Sequence, residues 1–119
     1  MGNVTAVDDK NFEAEVLAST VPVLVDFGAD WCGPCVNMEK SKTLEKFVEA
    51  NPDVSVEKID IDENEKLADE FGVVSIPAVY VVDEAGKVLA KANGGQSVGQ
   101  LEKLVEKAKA KASKGTKKS

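Results

Sequence analysis

Arginine and histidine are both absent, so lysine carries all 15 positive charges of this sequence. That removes imidazole bases, histidine metal ligands and bidentate guanidinium clamps together. No histidine-based catalytic triad can be built. Cysteine is scarce, with two residues, and aromatics make up only 5% of the chain. No apolar run is long enough to cross a bilayer, which excludes a helical membrane span. A single domain is expected, because 119 residues suffice for one compact core and not for two. The 43% of hydrophobic residues can close that core, and the 30% of charged residues rule out collagen-like and disordered classes. Any chemistry must come from two thiols, carboxylates, lysines, hydroxyls and backbone.

Charge is divided along the chain. Residues 1–102 hold 20 acidic residues against 8 Lys, a balance of −12, while residues 103–119 hold 7 Lys against Glu106, a balance of +6. A body this acidic argues against nucleic acid as a partner, because phosphate neutralisation needs a concentrated positive face. The basic end reads as a helix terminus with lysines at the negative pole of the macrodipole, running into a disordered tail over 112–119. The domain itself is expected over 1–111.

The opening residues Met1-Gly2-Asn3-Val4-Thr5-Ala6 show neither a positive n-region nor an apolar h-region, so a cytoplasmic address is expected. Gly2 invites myristoylation, but Ala6 stands where that pattern wants Ser or Thr. Asn3-Val4-Thr5 matches a glycosylation sequon, which has no meaning in a chain that stays out of the secretory path.

Hydrophobic period predicts strands over 4–7, 21–27, 54–61, 78–82 and 87–92. Asp8 or Asp9 is expected to cap a helix carrying Phe12, Val16 and Leu17, and Met38, Leu44, Phe47 and Val48 predict one long helix from Pro34 to about Ala50. A short helix over 65–71 closes at Gly72, and Val98, Leu101, Leu104, Val105 and Ala108 mark one face of a last helix. The unit running from the strand at 21–27 through the helix to the strand at 54–61 must be parallel, and residues 78–92 read as an antiparallel hairpin. The sum is an α/β fold, a mixed sheet of about five strands with helices on both faces.

The segment Trp31-Cys32-Gly33-Pro34-Cys35 follows directly on a strand and opens a helix. Cysteines three residues apart there have Cβ atoms about 5 to 6 Å apart, close enough to bridge with modest adjustment. Unpaired backbone N–H groups and the positive end of the helix favour a thiolate at Cys32 over Cys35. Pro34 sits where a missing N–H costs nothing. Competing readings are a zinc site, which two ligands cannot complete, a structural bridge, which would close almost no loop, and two inert buried thiols. Asp26, in an otherwise apolar strand, is either a desolvated acid with a raised pKa or a solvent-facing carboxylate on a half-exposed strand.

Val25-Asp26-Phe27, the motif from Trp31 to Cys35, Lys58 before Ile59-Asp60-Ile61-Asp62, Ile76-Pro77 and Gly94 stand in an order and spacing that resembles the thioredoxin family over residues 1 to about 110. The resemblance implies that family's fold, with about five strands and four helices, and the activity of a protein disulfide reductase. It implies Cys32 as nucleophile, Cys35 as resolving thiol, Asp26 as proton acceptor for Cys35 and Lys58 as its partner. It also implies a cis bond before Pro77 and a client groove made by Trp31, Gly33, Pro34, Ile76, Pro77 and Gly94. No metal and no bound cofactor are implied; NADPH enters only through thioredoxin reductase, the partner that would re-reduce the protein. Disulfide-containing client proteins are the other partners, with no nucleic acid, no membrane and a monomeric state expected.

Three positions depart from the family. Gly28 stands where Trp is common, Val36 where Lys is usual and Ala78 where Thr is usual. Loss of an aromatic beside Asp26 is expected to leave space for water, and loss of a positive charge beside Cys35 to weaken thiolate stabilisation, so an altered redox potential or client range is expected. Two other functions fit the same residues: a binding or scaffold module without turnover, and a dedicated electron donor to one enzyme.

Overall fold

The computed structural model describes residues 4–12, 14–15 and 22–117, with side chains as far as Ala112. Five strands form one mixed sheet: β1 (Val4–Ala6), β2 (Val23–Gly28), β3 (Ser55–Asp60), β4 (Ala78–Val82) and β5 (Val88–Asn93). Their order is β1-β3-β2-β4-β5. β3 pairs in parallel with both β1 and β2, whereas β4 runs antiparallel to β2 and to β5. β2 and β4 lie inside the sheet, which explains why every residue of both is buried and why their apolar runs are nearly continuous.

Four helices are described: α1 (Gly33–Lys40), α2 (Thr43–Ala50), α3 (Glu65–Phe71) and α4 (Val98–Lys117). The alternation of β2 sends its residues to two separate cores. Leu24 faces a cluster with Met38 of α1, Leu44, Phe47 and Val48 of α2 and Leu101, Leu104 and Val105 of α4. Val23, Val25 and Phe27 face the other side, where Phe12, Leu67 and Tyr80 pack, with the Phe71 ring 5.1 Å from that of Phe27. Asp26 therefore points with Leu24 toward the α1, α2 and α4 side, the only acid in its stretch of the strand.

The single long helix expected over 34–50 is two helices. Lys42, at φ 54°, ψ 39°, adopts a left-handed conformation between them. The reason is phase. At about 100° per residue Met38 and Leu44 would lie about 120° apart on one straight helix, and both could not face the sheet. The break resets the register, so that both are buried in the same core.

Near the amino end, Asp8 Oδ1 accepts the N–H groups of Lys10 at 2.9 Å and Asn11 at 3.0 Å, and Phe12 N–H bonds to the Asp8 carbonyl at 3.0 Å, a capped helical turn. Val16 and Leu17, expected to continue it, lie outside the described residues. α3 ends at Gly72, whose φ of 68° suits glycine, with its N–H on the carbonyls of Ala68 and Asp69. α4 continues to Lys117, past residue 111, where composition places the end of the domain. The Ala and Lys residues there are strong helix formers.

Candidate functional site

The site grows from the end of β2. At Gly28 the strand stops, Cys32 N–H bonds to the Ala29 carbonyl at 3.2 Å, and the chain enters α1. Cys32 is the N-cap, with extended backbone at φ −88°, ψ 114°, and its Sγ accepts the Cys35 N–H at 3.2 Å. A cap normally presents an oxygen to that N–H. Here a sulfur takes the place, which favours negative charge on Cys32. Pro34 lies in the first helical turn, as its missing donor permits. Cys32 and Cys35 are joined as a disulfide with Cα atoms 5.2 Å apart. Cys32 is 5% exposed, while Cys35 is the more open of the two.

Two other loops reach the same edge of the sheet. The Ile76–Pro77 bond is cis. Gly94, at φ 87°, donates its N–H to the Pro77 carbonyl at 2.8 Å, which ties the turn after β5 to the one before β4. A Cβ placed on the adjacent Gly95 would stand 3.9 Å from Cβ of Pro34, so the same turn also lies against the cysteine motif. Trp31 is 67% exposed and held by a 2.8 Å hydrogen bond from Nε1 to Asp62 Oδ2. Gly33 and Pro34 are exposed beside it and Ile76 is half-buried.

Asp26, on β2, lines a cavity together with Cys35, is 6% exposed, and its Oδ1 has no hydrogen-bond partner. Burial raises its pKa to about 7, against the opposing pull of the Lys58 charge. Asp26 and Lys58 are register partners across β2 and β3. The expected Asp26–Lys58 pair is nevertheless not formed: Lys58 Nζ sits 2.7 Å from Oε2 of Glu39 on α1 and reaches Asp26 through its charge alone. The physical reason is cost. Glu39 is exposed and keeps its charge cheaply, held below the ordinary glutamate pKa by the Lys58 hydrogen bond, whereas an ionised Asp26 would have to stay charged in a buried site.

Glu39, Asp62 and Gly95 are site residues that the sequence did not single out. Glu39 is one helical turn beyond Cys35, a spacing that could have flagged it; Asp62 and Gly95 depend on how loops meet. Glu57 is a second buried acid with a pKa raised to about 7, by burial first and then by Glu15. As the neighbour of Lys58 on β3 it points to the opposite face, away from the disulfide.

Beside the disulfide lies a cavity of about 170 Å³ that Asp26, Gly28, Cys35, Glu39, Glu45 and Lys58 help to line. The expected space beside Gly28 is thus present, and Val36 also borders it. Ala78 is fully buried at the start of β4. Among the described residues, no group of three or more Cys, Asp or Glu is arranged to hold a metal ion, and no helix is long and apolar enough to cross a membrane.

A family model described as Thioredoxin matches residues 3–107. The chain is 43% identical over 88 residues to a thioredoxin of Streptomyces clavuligerus, across 74% of this chain and 79% of that one. It is 44% identical over 81 residues to the bifunctional thioredoxin reductase/thioredoxin of Mycobacterium leprae, across 67% of this chain and 17% of that protein. A chain from a solved structure described as "Structural basis of the thiol resolving mechanism in yeast mitochondrial 1-Cys peroxiredoxin via glutathione/thioredoxin systems" superposes with a TM-score of 0.75 at 28% identity, covering 87% of this chain and 94% of that chain. With a cysteine pair bridged at the start of α1 and a family match over nearly its whole length, this chain belongs to the thioredoxin family, protein disulfide oxidoreductases that act through their own active-site disulfide.

Proposed function

We propose that this protein is a general electron donor to protein disulfides, re-reduced by a thioredoxin reductase that draws on NADPH. The observation that carries the proposal is the Cys32–Cys35 bridge at a helix N-terminus, with the N-cap sulfur already accepting a backbone N–H. The Mycobacterium leprae relative, whose name joins a thioredoxin reductase to a thioredoxin, supports the reductase as partner.

In the reduced protein the Cys32 thiolate attacks a client disulfide, forming a Cys32–client bond and releasing one client thiolate. Cys35 gives its proton to Asp26 and attacks Cys32 Sγ, which frees the second client sulfur and closes the bridge. Lys58 steadies the charge that Asp26 gains. Lowering a thiol pKa from about 8.5 to about 7 raises the thiolate fraction roughly 16-fold but costs about fivefold in nucleophilicity, so only about a threefold gain survives. Most of the acceleration must come from docking and from holding Cys35 beside the intermediate. An extended client segment bonding to the Ile76 backbone beside Pro77, flanked by Trp31, Gly33, Pro34 and Gly94, supplies that docking. The pair itself carries the electrons, so no bound cofactor is required, and the working form is a monomer in the cytoplasm.

The test is turnover of a protein disulfide with NADPH and a thioredoxin reductase. Cys35→Ser should lower the rate by at least about 100-fold and accumulate stable mixed disulfides on Cys32. Trapping of one client alone would point to a dedicated donor, and binding without turnover in the unaltered protein to a scaffold.

A further inference from the structure

Glu39 stands one helical turn beyond Cys35, and its Oε2 lies 2.7 Å from Lys58 Nζ. With 66% of the Glu39 side chain and 41% of the Lys58 side chain exposed, the pair adds little stability, so where it holds the ammonium matters more than how tightly. Asp26 shares the cavity beside the disulfide with Lys58 from β3, Cys35 and Glu39 from α1, Glu45 from α2 and Asp30 from the loop after β2. Lys58 is the one cation among these described lining residues. In the sheet Asp26 is flanked by Lys58 and, on β4, by the uncharged Val79. Three acids therefore compete for one ammonium. Against burial, which alone would lower the Lys58 pKa, the hydrogen bond and charge of Glu39 raise it, followed by the charges of Asp26 and Glu45.

We propose that Glu39 is a positioning residue of disulfide exchange: it anchors the Lys58 ammonium toward solvent, off the Asp26 carboxyl, and thereby sets how readily Asp26 takes the proton of Cys35. This role rests on Asp26 being that acceptor, as in the function proposed above. A lysine stem is long and flexible enough to serve either acid. An ammonium brought closer to a buried carboxyl strongly favours the ionised form, because the surroundings screen little. Asp26 paired directly with Lys58 would ionise easily but be a weak base, and Asp26 left without any cation would already be protonated when Cys35 needs it. Glu39 holds the charge between those limits: Lys58 acts on Asp26 through space while its hydrogen bond goes to Glu39. Once released, Lys58 turns to Asp26 rather than Glu45, because Asp26 is its register neighbour on the adjoining strand, whereas Glu45 is exposed on α2, where solvent weakens an ion pair.

Glu39→Gln keeps the shape of the side chain and removes its charge. In the oxidised protein, where neither cysteine titrates, carboxyl-carbon NMR follows Asp26, its signal assigned by loss in Asp26→Asn and so kept apart from that of Glu57. Glu39→Gln should lower the Asp26 titration midpoint by at least about 0.5. Lys58→Met should raise it, and in that background Glu39→Gln should move it by less than about 0.2, since Glu39 acts through Lys58. The reduced protein mixed with dithiodipyridine gives the kinetic counterpart. Cys32 attacks the reagent and releases one thiopyridone; Cys35 then passes its proton to Asp26, attacks Cys32 Sγ, closes the bridge and releases the second. The pH midpoint of this second release should fall in Glu39→Gln together with that of Asp26. An Asp26 midpoint that Glu39→Gln leaves unmoved or raises overturns the proposal, as does an undiminished shift in the Lys58→Met background. A midpoint that moves while the second release does not also overturns it, and removes Asp26 as the acceptor. Neither measurement uses the reductase or a protein client, so absence of turnover with those bears on the proposed function alone.

Discussion

Asp26 owes its state to one residue-scale fact: it is an acid on the inner face of a strand whose every residue is buried. Its folded-state pKa of about 7 lies above the ordinary 3.8, so between those values the folded protein holds a proton that the unfolded chain has released. The folded form binds more protons in that window, and stability therefore falls as pH rises through it and levels off above. Asp26→Asn removes this contribution. Urea unfolding should find variant and parent nearly equal at about pH 4, with the variant gaining progressively to as much as roughly 4 kcal/mol at about pH 8. Glu57 titrates over the same range, but it is present in both proteins and cancels in the difference. A gap that ignores pH would contradict the assignment of the shift to burial.

At the scale of single elements the chain was legible wherever periodicity and punctuation agreed. Ala78–Val82 and Glu65–Phe71 stand where the pattern puts them, because a continuous apolar run and a helix closed by glycine are local signals. The cysteine pair was equally legible, since N-cap chemistry depends on a few adjacent residues. The break between α1 and α2 was not. Ser41 and Lys42 carry no glycine or proline to announce it, and the only trace is the phase mismatch between Met38 and Leu44. Lys58 was legible only in part for a related reason: its register beside Asp26 follows from parallel pairing, but its ion pair with Glu39 depends on where α1 lands across the sheet.

Lys42 makes that break testable. A non-glycine residue in the left-handed region costs about 1 to 2 kcal/mol, and glycine escapes this at an entropic cost of roughly 0.5 to 1 kcal/mol. Lys42 is exposed and its left-handed φ is 54°, so nothing but backbone conformation is at stake. Lys42→Gly should raise the unfolding free energy by about 0.5 to 1 kcal/mol, read as a higher urea midpoint at unchanged slope. Lys42→Val, β-branched, should lower it. If both substitutions move stability in one direction, the two helices are not separated by a strained residue.

The molecule as a whole is one sheet with two cores that never touch, because β2 and β4 stand between them. Leu101 of α4 is fully buried on one side and Leu67 of α3 is 5% exposed on the other. Each leucine truncated to alanine loses transfer energy and leaves a cavity, a cost of about 2 to 5 kcal/mol. Residues on opposite faces of a sheet share no side-chain neighbours, so their costs should add within about 0.5 kcal/mol. A domain of this size has only about 5 to 15 kcal/mol in hand, and the double variant Leu67→Ala, Leu101→Ala should therefore stand at or below the edge of folding. Leu101→Ala and Leu24→Ala, by contrast, both empty the core that holds Met38 and Phe47, and their combined cost should depart from the sum by more than that margin. Denaturant unfolding of the three single and two double variants decides the matter: coupling across the sheet between Leu67→Ala and Leu101→Ala would mean that the two cores act as one.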